Sequence, residues 1–153
     1  MKDRPDTALE LRARALRLLA RREHSGAELA RKLSPHAQSS EALQSLLSEL
    51  TAKKQLSDER FAEERARWLA RKYGAAKIRR DLKAKGVERE LVERVSAEGE
   101  LERARGILTR KYREPAATRE ERARRMRFLQ GRGFSHETIR GALGEAASKD
   151  END

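Results

Sequence analysis

Two basic runs are the part of this sequence most able to do chemistry. Positive side chains dominate the stretch from Arg71 to Lys85, where Asp81 is the one acid, and arginines dominate the stretch from Arg119 to Arg132. Guanidinium and ammonium groups bind the oxygens of phosphates and carboxylates. The predicted binding residues are Arg71, Lys72, Lys77, Arg79, Arg80, Lys83, Arg124, Arg125, Arg127 and Arg132. A single run of this kind can simply keep an exposed helix face soluble, but two runs on equivalent second helices favour an anionic partner, either nucleic acid or an acidic protein face.

The sequence offers no pattern typical of catalysis or of metal binding. His24, His36 and His136 lie far apart, none has the spacing of a metal-ligand pair, and there is no glycine-rich phosphate loop. We interpret His24 and His136 as helix caps or surface residues. Carboxylate pairs such as Glu63 and Glu64 lie among arginines, which indicates ordinary surface ion pairs. We therefore predict no catalytic residue, no metal, no cofactor and no enzymatic activity.

Composition narrows the class of protein. The chain has 153 residues, 41% of them charged, a formal net charge of +10 and no cysteine. The absence of cysteine excludes disulfides and thiol chemistry and suits a reducing compartment. No apolar run is long enough to span a membrane, and Asp3, Pro5 and Asp6 do not fit a signal peptide. These features predict a cytoplasmic protein.

The apolar residues follow a helical period throughout. Residues that favour strands are scarce, so an all-α fold is predicted. The first helix should run from about Thr7 to Arg22, with Leu9, Ala13, Leu16 and Leu19 on its buried face. A Ser25–Glu28 capping box should open the second helix, and Thr118–Glu121 should form another such box later in the chain.

The helical pattern occurs three times along the chain. Lys85-Gly86-Val87 and Arg132-Gly133-Phe134 lie at the same joint of successive copies, before the last helix, and Gly86 suits a left-handed C-terminal cap. We therefore predict an elongated tandem array of three three-helix repeats, each stabilised by its neighbours. The predicted boundaries are 1–56, 57–97 and 98–146 for the repeats, followed by a flexible acidic tail at 147–153.

The central basic helix has a predicted outward face. If Ile78 and Leu82 point inward, then Arg79, Arg80 and Lys83 point outward.

The aromatic residues are Phe61, Trp68, Tyr73, Tyr112, Phe128 and Phe134, and most of them are predicted to fill helix cores or joints. At 4% aromatics, with no marked recognition helix, neither a base-stacking platform nor sequence-specific base reading is predicted.

Three stretches together resemble the RecX family of regulatory proteins. QLSDERFAEERARWLARKYG at 55–74, continued by AAKIRRDLKAKGV at 75–87, is similar to the central signature of that family. FLQGRGFSHETIRGAL at 128–143 resembles its C-terminal repeat, and the first unit, with Arg22, Ser25, Glu28 and Leu29, resembles its N-terminal repeat. The sequence departs from the family pattern in two places. The joint at 34–38 is lengthened, and Arg125 occupies a position where an apolar residue would match Ile78.

The resemblance implies a monomeric bacterial regulator of the RecA recombinase. Such a protein would lie in the groove of the RecA filament on DNA and suppress ATPase, co-protease and strand-exchange activities, and so modulate recombination, DNA repair and the SOS response. Weak direct binding to single- or double-stranded DNA is compatible with this role. Two alternatives stay open from the residues alone. One is a nucleic-acid-binding protein that acts through phosphates without base specificity, and the other is a helical adaptor for an acidic protein.

Overall fold

The computed structural model describes residues 4–144, so the predicted acidic tail at 147–153 lies outside the described residues. Within this range the chain forms nine α-helices and one short 3-10 helix, Ser34–His36, and no strand. The α-helices are α1 Ala8–Arg21, α2 Gly26–Leu33, α3 Ser40–Ala52, α4 Asp58–Leu69, α5 Ala75–Ala84, α6 Arg89–Glu93, α7 Glu100–Lys111, α8 Arg119–Gly131 and α9 His136–Ala142. The predicted all-α fold is confirmed. We refer to α1–α3, α4–α6 and α7–α9 as the first, second and third helix triplets.

Helix α1 begins at a capping box that the sequence analysis did not predict. The Oγ1 of Thr7 accepts from the backbone N–H of Glu10 at 3.2 Å, and the carboxylate of Glu10 accepts from the N–H of Thr7 at 3.0 Å. The predicted helix bounds agree within one residue. The predicted buried face was wrong in part, because Leu11 and Ala15 are buried while Leu9 is 79% exposed.

The two predicted capping boxes form only in part. Ser25 accepts from the N–H of Glu28 at 3.0 Å, but the carboxylate of Glu28 binds Arg22 instead of the backbone. Thr118 accepts from the N–H of Glu121 at 3.1 Å, and the Glu121 carboxylate accepts from the N–H of Ala117 at 2.7 Å. Each hydroxyl therefore caps its helix as expected, whereas each carboxylate bonds elsewhere.

The lengthened joint after α2 is held by the segment before α1. The N–H of Asp6 donates to the carbonyl oxygen of His36 at 2.8 Å, and the side-chain amide of Gln38 donates to the carbonyl oxygen of Asp6 at 3.1 Å. The buried Asp6 carboxylate accepts from Arg14 at 2.8 Å. The extra residues of this joint thus bond to the start of the chain.

The chain divides into two compact units, residues 4–65 with 82–92 and residues 66–81 with 93–144. Helices α4 and α5 each contribute residues to both units. One core cluster of the first unit is almost entirely leucine and consists of Leu11, Ala15, Leu29, Leu33, Leu43, Leu46, Leu50 and Leu56. A core of the second unit consists of Ala104, Ile107, Leu108, Leu129, Phe134 and Ile139.

In the first unit, the N-terminus of α2 is covered by residues of the second triplet. The N–H of Gly26 donates to the carboxylate of Asp58, the first residue of α4, at 2.6 Å. The Oγ of Ser25 donates to the carbonyl oxygen of Lys85 at 2.7 Å. Gly86 follows with φ of +80° and lies against Ala27, where a side chain would collide with the alanine. The predicted left-handed conformation of Gly86 is confirmed.

In the second unit, the N-terminus of α5 is covered by the third triplet in the same way. The N–H of Ala75 donates to the carboxylate of Glu100, the first residue of α7, at 3.4 Å. The N–H of Gly74 donates to the carbonyl oxygen of Arg132 at 2.8 Å, and Gly133 follows with φ of +86°. Both joints that the sequence matched to each other therefore cover the start of a preceding helix with a carboxylate, a backbone carbonyl and a left-handed glycine, and we call this arrangement the inter-triplet junction.

Trp68 of the second triplet differs from expectation. Most of the aromatic residues were predicted to fill helix cores or joints, but Trp68 is 58% exposed and lines an open groove at the end of α4, whereas the next residue, Leu69, is buried. Helix α6 ends at Glu93, so Val95 lies in the connection to α7, where it is half-buried.

Candidate functional site

The ten predicted binding residues fall into two groups. Six of them are exposed and make no hydrogen bond or ion pair through their side chains with any residue in the range 4–144. The other four are half-buried, and each is held by a backbone carbonyl, an aromatic ring or both. The exposed six are Arg71, Lys72, Arg80, Lys83, Arg124 and Arg127. The held four are Lys77, Arg79, Arg125 and Arg132.

Arg79 does not point outward as predicted. Its Nη2 donates to the carbonyl oxygen of Val95 at 2.6 Å, so the guanidinium links α5 to the connection before α7. The apolar stripe of Ile78 and Leu82 is buried as predicted, and Arg80 and Lys83 are exposed as predicted. Arg79 lies at the border between the two faces, where its long side chain reaches a backbone carbonyl.

Lys77 and Arg132 come together around Tyr73. The Nζ of Lys77 lies 4.5 Å from the centroid of the Tyr73 ring and donates to the carbonyl oxygen of Gly131 at 3.4 Å. The guanidinium carbon of Arg132 lies 5.4 Å from the same centroid, and its Nη1 donates to the carbonyl oxygen of Lys72 at 3.4 Å. The electron-rich ring stabilises both cations without neutralising them.

The same arrangement continues along the third triplet. The guanidinium carbon of Arg132 also lies 4.9 Å from the ring centroid of Phe128. The Nζ of Lys111 lies 4.7 Å from the Phe128 centroid and 5.7 Å from the Tyr112 centroid. Tyr112 and Phe128 contact each other edge to face with centroids 6.3 Å apart. The last member of the series is Arg125, whose guanidinium carbon lies 4.3 Å from the Tyr112 centroid.

The result is a continuous ladder of four cations and three aromatic rings in the second unit; its members are Lys77, Tyr73, Arg132, Phe128, Lys111, Tyr112 and Arg125. The ladder explains Arg125, which stands where an apolar residue would match Ile78, because its flat guanidinium packs on Tyr112 as an apolar side chain would. Sequence reasoning missed Lys111, and the mismatch at Arg125 was the signal that could have found the ladder.

Arg71 and Lys72 line a groove that the sequence did not predict. The groove has a volume of about 830 Å³ and lies between the end of α4 and one face of α7. Trp68, Arg103 and Arg110 line it as well. A lone tryptophan within the basic stretch at 66–72 was the available signal.

The histidine interpretation was wrong for His24. Its side chain is buried, its Nδ1 lies 3.0 Å from the carbonyl oxygen of Arg22, and its Nε2 lies 3.0 Å from the Nζ of Lys32. Because the ammonium of Lys32 can only donate, Nε2 accepts and the ring is neutral. Burial lowers the pKa of His24. His136 is exposed at the start of α9, in agreement with the interpretation.

An ion pair lies beside this histidine in the first unit. The guanidinium of Arg22 donates two bonds to the buried carboxylate of Glu28, at 3.0 and 2.8 Å. Hydrogen bonding and charge from Arg22 lower the pKa of Glu28 to about 2.

Within residues 4–144, no three His, Asp or Glu side chains gather as metal ligands do. No helix in that range has the length and apolar character needed to cross a bilayer.

Two family models match this chain. The second three-helix domain of RecX matches residues 57–95, and the third three-helix domain of RecX matches residues 98–143. Together the two matches span more than half of the chain.

Relatives and solved structures agree with these matches. The chain is 45% identical over 152 residues to "Regulatory protein RecX" of Herbaspirillum seropedicae, covering 97% of this chain and 98% of the relative. It is 40% identical over 148 residues to the protein of the same name from Leptothrix cholodnii, covering 95% and 94%. Its fold is similar to the crystal structure of RecX from Lactobacillus salivarius, with a TM-score of 0.78 at 17% identity over 92% of this chain and 97% of that one. The chain therefore belongs to the RecX family of regulatory proteins.

Proposed function

We propose that this protein is a negative regulator of RecA that binds in the groove of the RecA filament on DNA. Bound there, it inhibits the ATPase, co-protease and strand-exchange activities of RecA, and so modulates recombination and the SOS response. Membership of the RecX family supports a regulatory role, and the family resemblance of the sequence supports RecA as the target. The proposal includes a cytoplasmic location, action as a monomer and no catalytic step of its own.

The observation that carries the proposal is the set of six exposed basic side chains without partners. Acids are plentiful in this chain, and arginines elsewhere use them: Arg14 bonds to Asp6 and Arg60 to Glu23. The six side chains at Arg71, Lys72, Arg80, Lys83, Arg124 and Arg127 are left unpaired within residues 4–144. Unpaired cations raise the rate and the strength of association with an anionic surface.

Three helix triplets in one chain would favour a filament over free RecA. We propose that residues 1–56, 57–97 and 98–146 act as three binding modules on adjacent protomers. After the first module binds, the later modules bind at high effective concentration, so avidity exceeds the affinity of any single module. A chain that occupies several protomers of the groove obstructs incoming duplex and perturbs the protomer interfaces on which cooperative ATP hydrolysis depends.

The test is ATP hydrolysis by RecA on single-stranded DNA with this protein added in graded amounts. We expect inhibition that saturates with dose. The double variant Arg80→Glu with Lys83→Glu should need about tenfold more protein for the same inhibition, because charge reversal replaces two attractions with two repulsions. Its helical content should not change, since neither side chain has a partner in the described fold.

A matched control separates the effect of the basic face of α5 on inhibition from the effect of net charge. Arg17 and Arg21 are exposed on α1, one turn apart, and neither side chain bonds to another residue within the described part of the chain. Reversing both to Glu changes the net charge by the same amount. If this control loses inhibition as strongly as the α5 variant, the predicted face has no special role.

A second titration compares the filament with bare DNA. A filament regulator needs only weak affinity for bare strands, whereas a protein that coats nucleic acid through phosphates binds them tightly with a steep salt dependence. Equal binding to bare single strands and to the preformed filament at physiological salt would contradict the proposal.

A further inference from the structure

The groove between α4 and α7 is a concave site of small-molecule size. One wall is formed by residues 67–73, at the end of α4 and in the turn after it, and the other by one face of α7. Both walls belong to the second unit. The volume of about 830 Å³ is that of a cube about 9 Å on each side, and pockets for small ligands measure about 300–1,000 Å³. The groove therefore has room for a compact ligand.

The groove carries a surplus of positive charge. Five of its lining residues are basic and one, Glu102, is acidic, which leaves a surplus of four. Glu102 forms an ion pair with Arg105 at 3.2 Å, and Arg105 does not line the groove. Four of the five basic side chains are exposed and make no hydrogen bond or ion pair within residues 4–144; they are Arg67, Arg71, Lys72 and Arg110. Their charges are therefore available to an anion that enters the groove.

The fifth basic residue, Arg103, is held at the groove with one donor unused. Its Nη1 donates to the carbonyl oxygen of Glu98 at 3.2 Å, and its Nη2 donates to the carbonyl oxygen of Tyr73 at 3.5 Å. Its Nε is buried and has no hydrogen-bond partner within residues 4–144. Both bonds are long and both acceptors are neutral, so the fold orients the guanidinium without balancing its charge or satisfying all of its donors. An anionic oxygen would do both once the side chain turns into the groove.

A glycine in the middle of α7 leaves space between two of these cations. Gly106 lies on the same face of the helix as Arg103, three residues before it, and Arg110, four residues after it. Glycine weakens a helix interior, and packing does not require it here, because a Cβ atom would meet only the Nη1 of Arg110, at 3.4 Å. At Gly141 in α9, by contrast, a Cβ atom would lie 2.9 Å from the side chain of Leu101. The missing side chain at Gly106 therefore deepens the groove.

The density of charge distinguishes between the possible anionic ligands. A triphosphate carries about four negative charges at pH 7, because each phosphate carries one and the terminal group titrates a second with a pKa of about 6. Its phosphates share bridging oxygens, so these charges fit a space of this size and match the surplus of four. An extended acidic peptide turns successive carboxylates to opposite faces, and a nucleic acid strand brings a sugar and a base with each single charge. Both deliver fewer charges in the same volume.

We propose that the groove between α4 and α7 binds a linear polyphosphate of at least about three phosphates, either free or as the tail of a nucleotide. Its oxygens bind the five cations of the groove, which are Arg67, Arg71, Lys72, Arg103 and Arg110. Recognition depends on the phosphate chain, which both sources share. The site goes beyond the proposed regulation of RecA and does not rest on it, because every test of the site is made without RecA.

The first test is isothermal titration calorimetry with inorganic tripolyphosphate, ATP and AMP at low salt and without Mg²⁺. We expect tripolyphosphate and ATP to bind one to one and at least about tenfold more tightly than AMP, which carries about two negative charges. Tripolyphosphate that binds as tightly as ATP identifies the chain alone as the ligand, whereas tighter binding of ATP identifies a nucleotide. Equal affinity for AMP, or several equivalent tripolyphosphates bound to each chain, would overturn the proposal.

Competition separates a polyphosphate from larger polyanions. Hexaglutamate and an oligothymidylate of about six nucleotides carry at least as much negative charge as tripolyphosphate but spread it over a longer molecule. Each should displace tripolyphosphate about tenfold less effectively than ATP does. Displacement by hexaglutamate at lower concentrations than by ATP would overturn the proposal in favour of an acidic polypeptide. The same result with the oligothymidylate would overturn it in favour of a strand.

Removal of charge inside and outside the groove tests the location of the site. The double variant Arg71→Ala with Arg110→Ala removes one cation from each wall and should weaken tripolyphosphate binding at least about tenfold. Its fold should be kept, since neither side chain has a partner within residues 4–144. Arg17→Ala with Arg21→Ala removes the same net charge from α1, in the first unit, and should change the affinity less than about twofold. Equal losses in the two double variants would overturn the site, because net charge alone would then explain the affinity.

A blocking variant fills the groove and keeps every cation. Gly106→Leu introduces a good helix former, so the fold should be kept, and circular dichroism checks this. The new side chain occupies the space between Arg103 and Arg110, and one-to-one binding of tripolyphosphate should be lost. Unchanged affinity in the folded variant would overturn the site without affecting the RecA proposal. If this variant does not fold, the two double variants decide the question.

Discussion

Gly133 lies so close to Lys77 that a Cβ atom on the glycine would stand 2.5 Å from the Cβ of the lysine and 2.7 Å from its backbone nitrogen. Gly133 also has φ of +86°, a conformation that side chains disfavour. Both constraints arise at the inter-triplet junction of the second unit, where the third triplet covers the start of α5. This junction therefore accepts only glycine.

Replacing Gly133 by alanine should destabilise the protein by about 3 kcal/mol, from the positive φ and the steric overlap together. The measurement is the free energy of unfolding in urea. Gly99→Ala is the matched control: Gly99 has φ of +74°, and nothing lies within 4 Å of the added atom. It should lose only about 1 kcal/mol. Equal losses in the two variants would contradict the close approach at Gly133.

The ion pair between Arg22 and Glu28 should make stability depend on acid pH. The pKa of Glu28 is lowered from 4.5 to about 2 in the folded protein. Because the folded pKa is the lower one, the stabilisation is complete above pH 4.5 and is lost as the pH falls towards 2.

Glu28→Gln removes this contribution. At pH 7 the variant should be less stable than the parent by about 1–2 kcal/mol, a figure reduced because the half-exposed Arg22 is screened by water. The difference should shrink between pH 4.5 and 2. Urea unfolding across this range measures it. A difference that stays constant with pH would show that the carboxylate charge is not responsible.

His24 should produce a separate dependence at mildly acidic pH. Burial lowers the pKa of its ring, and the cations Arg22 and Lys32 oppose protonation further, whereas Glu28 favours it. Since the folded pKa is below the unfolded value, stability is complete above about pH 6.5 and falls as the pH drops through the folded pKa. His24→Gln should lose stability less steeply than the parent between about pH 7 and 5. Parallel curves for the two proteins would contradict a buried neutral ring.

Arg79 and Arg80 are neighbours in sequence with opposite roles. Arg79 donates to the carbonyl oxygen of Val95 at 2.6 Å, so Arg79→Ala should cost about 1 kcal/mol of stability. Arg80 is exposed without a partner in the described range, so Arg80→Ala should change stability by less than about 0.5 kcal/mol. Thermal unfolding measures both. A larger loss for Arg80 than for Arg79 would reverse this assignment.

The local pattern of the sequence was enough to predict the helices and the repeated joint. Helix ends follow capping hydroxyls and glycines, which act within a few residues of where they stand. Lys85-Gly86-Val87 and Arg132-Gly133-Phe134 could be matched because both joints need a left-handed glycine followed by a buried side chain, and Val87 and Phe134 are buried.

The positions that could not be predicted depend on packing between distant segments. Helix α1 carries leucine on more than one face, so periodicity alone could not choose Leu11 over Leu9 as the buried residue. Trp68 shared the expectation made for most of the aromatic residues, that a large side chain fills the core or a joint of a small helical bundle. The carboxylate of Glu28 could cap its own helix or bind Arg22, and only the packing around it decides.

The inter-triplet junctions also set an order of events during synthesis. The hydroxyl of Ser25 bonds to Lys85, 60 residues further along the chain, and the N–H of Gly74 bonds to Arg132. The start of α2 thus stays incomplete until Lys85 has left the ribosome, and the start of α5 waits for Arg132. In this chain we therefore expect the first triplet to be completed only as the second emerges, and the second only as the third emerges.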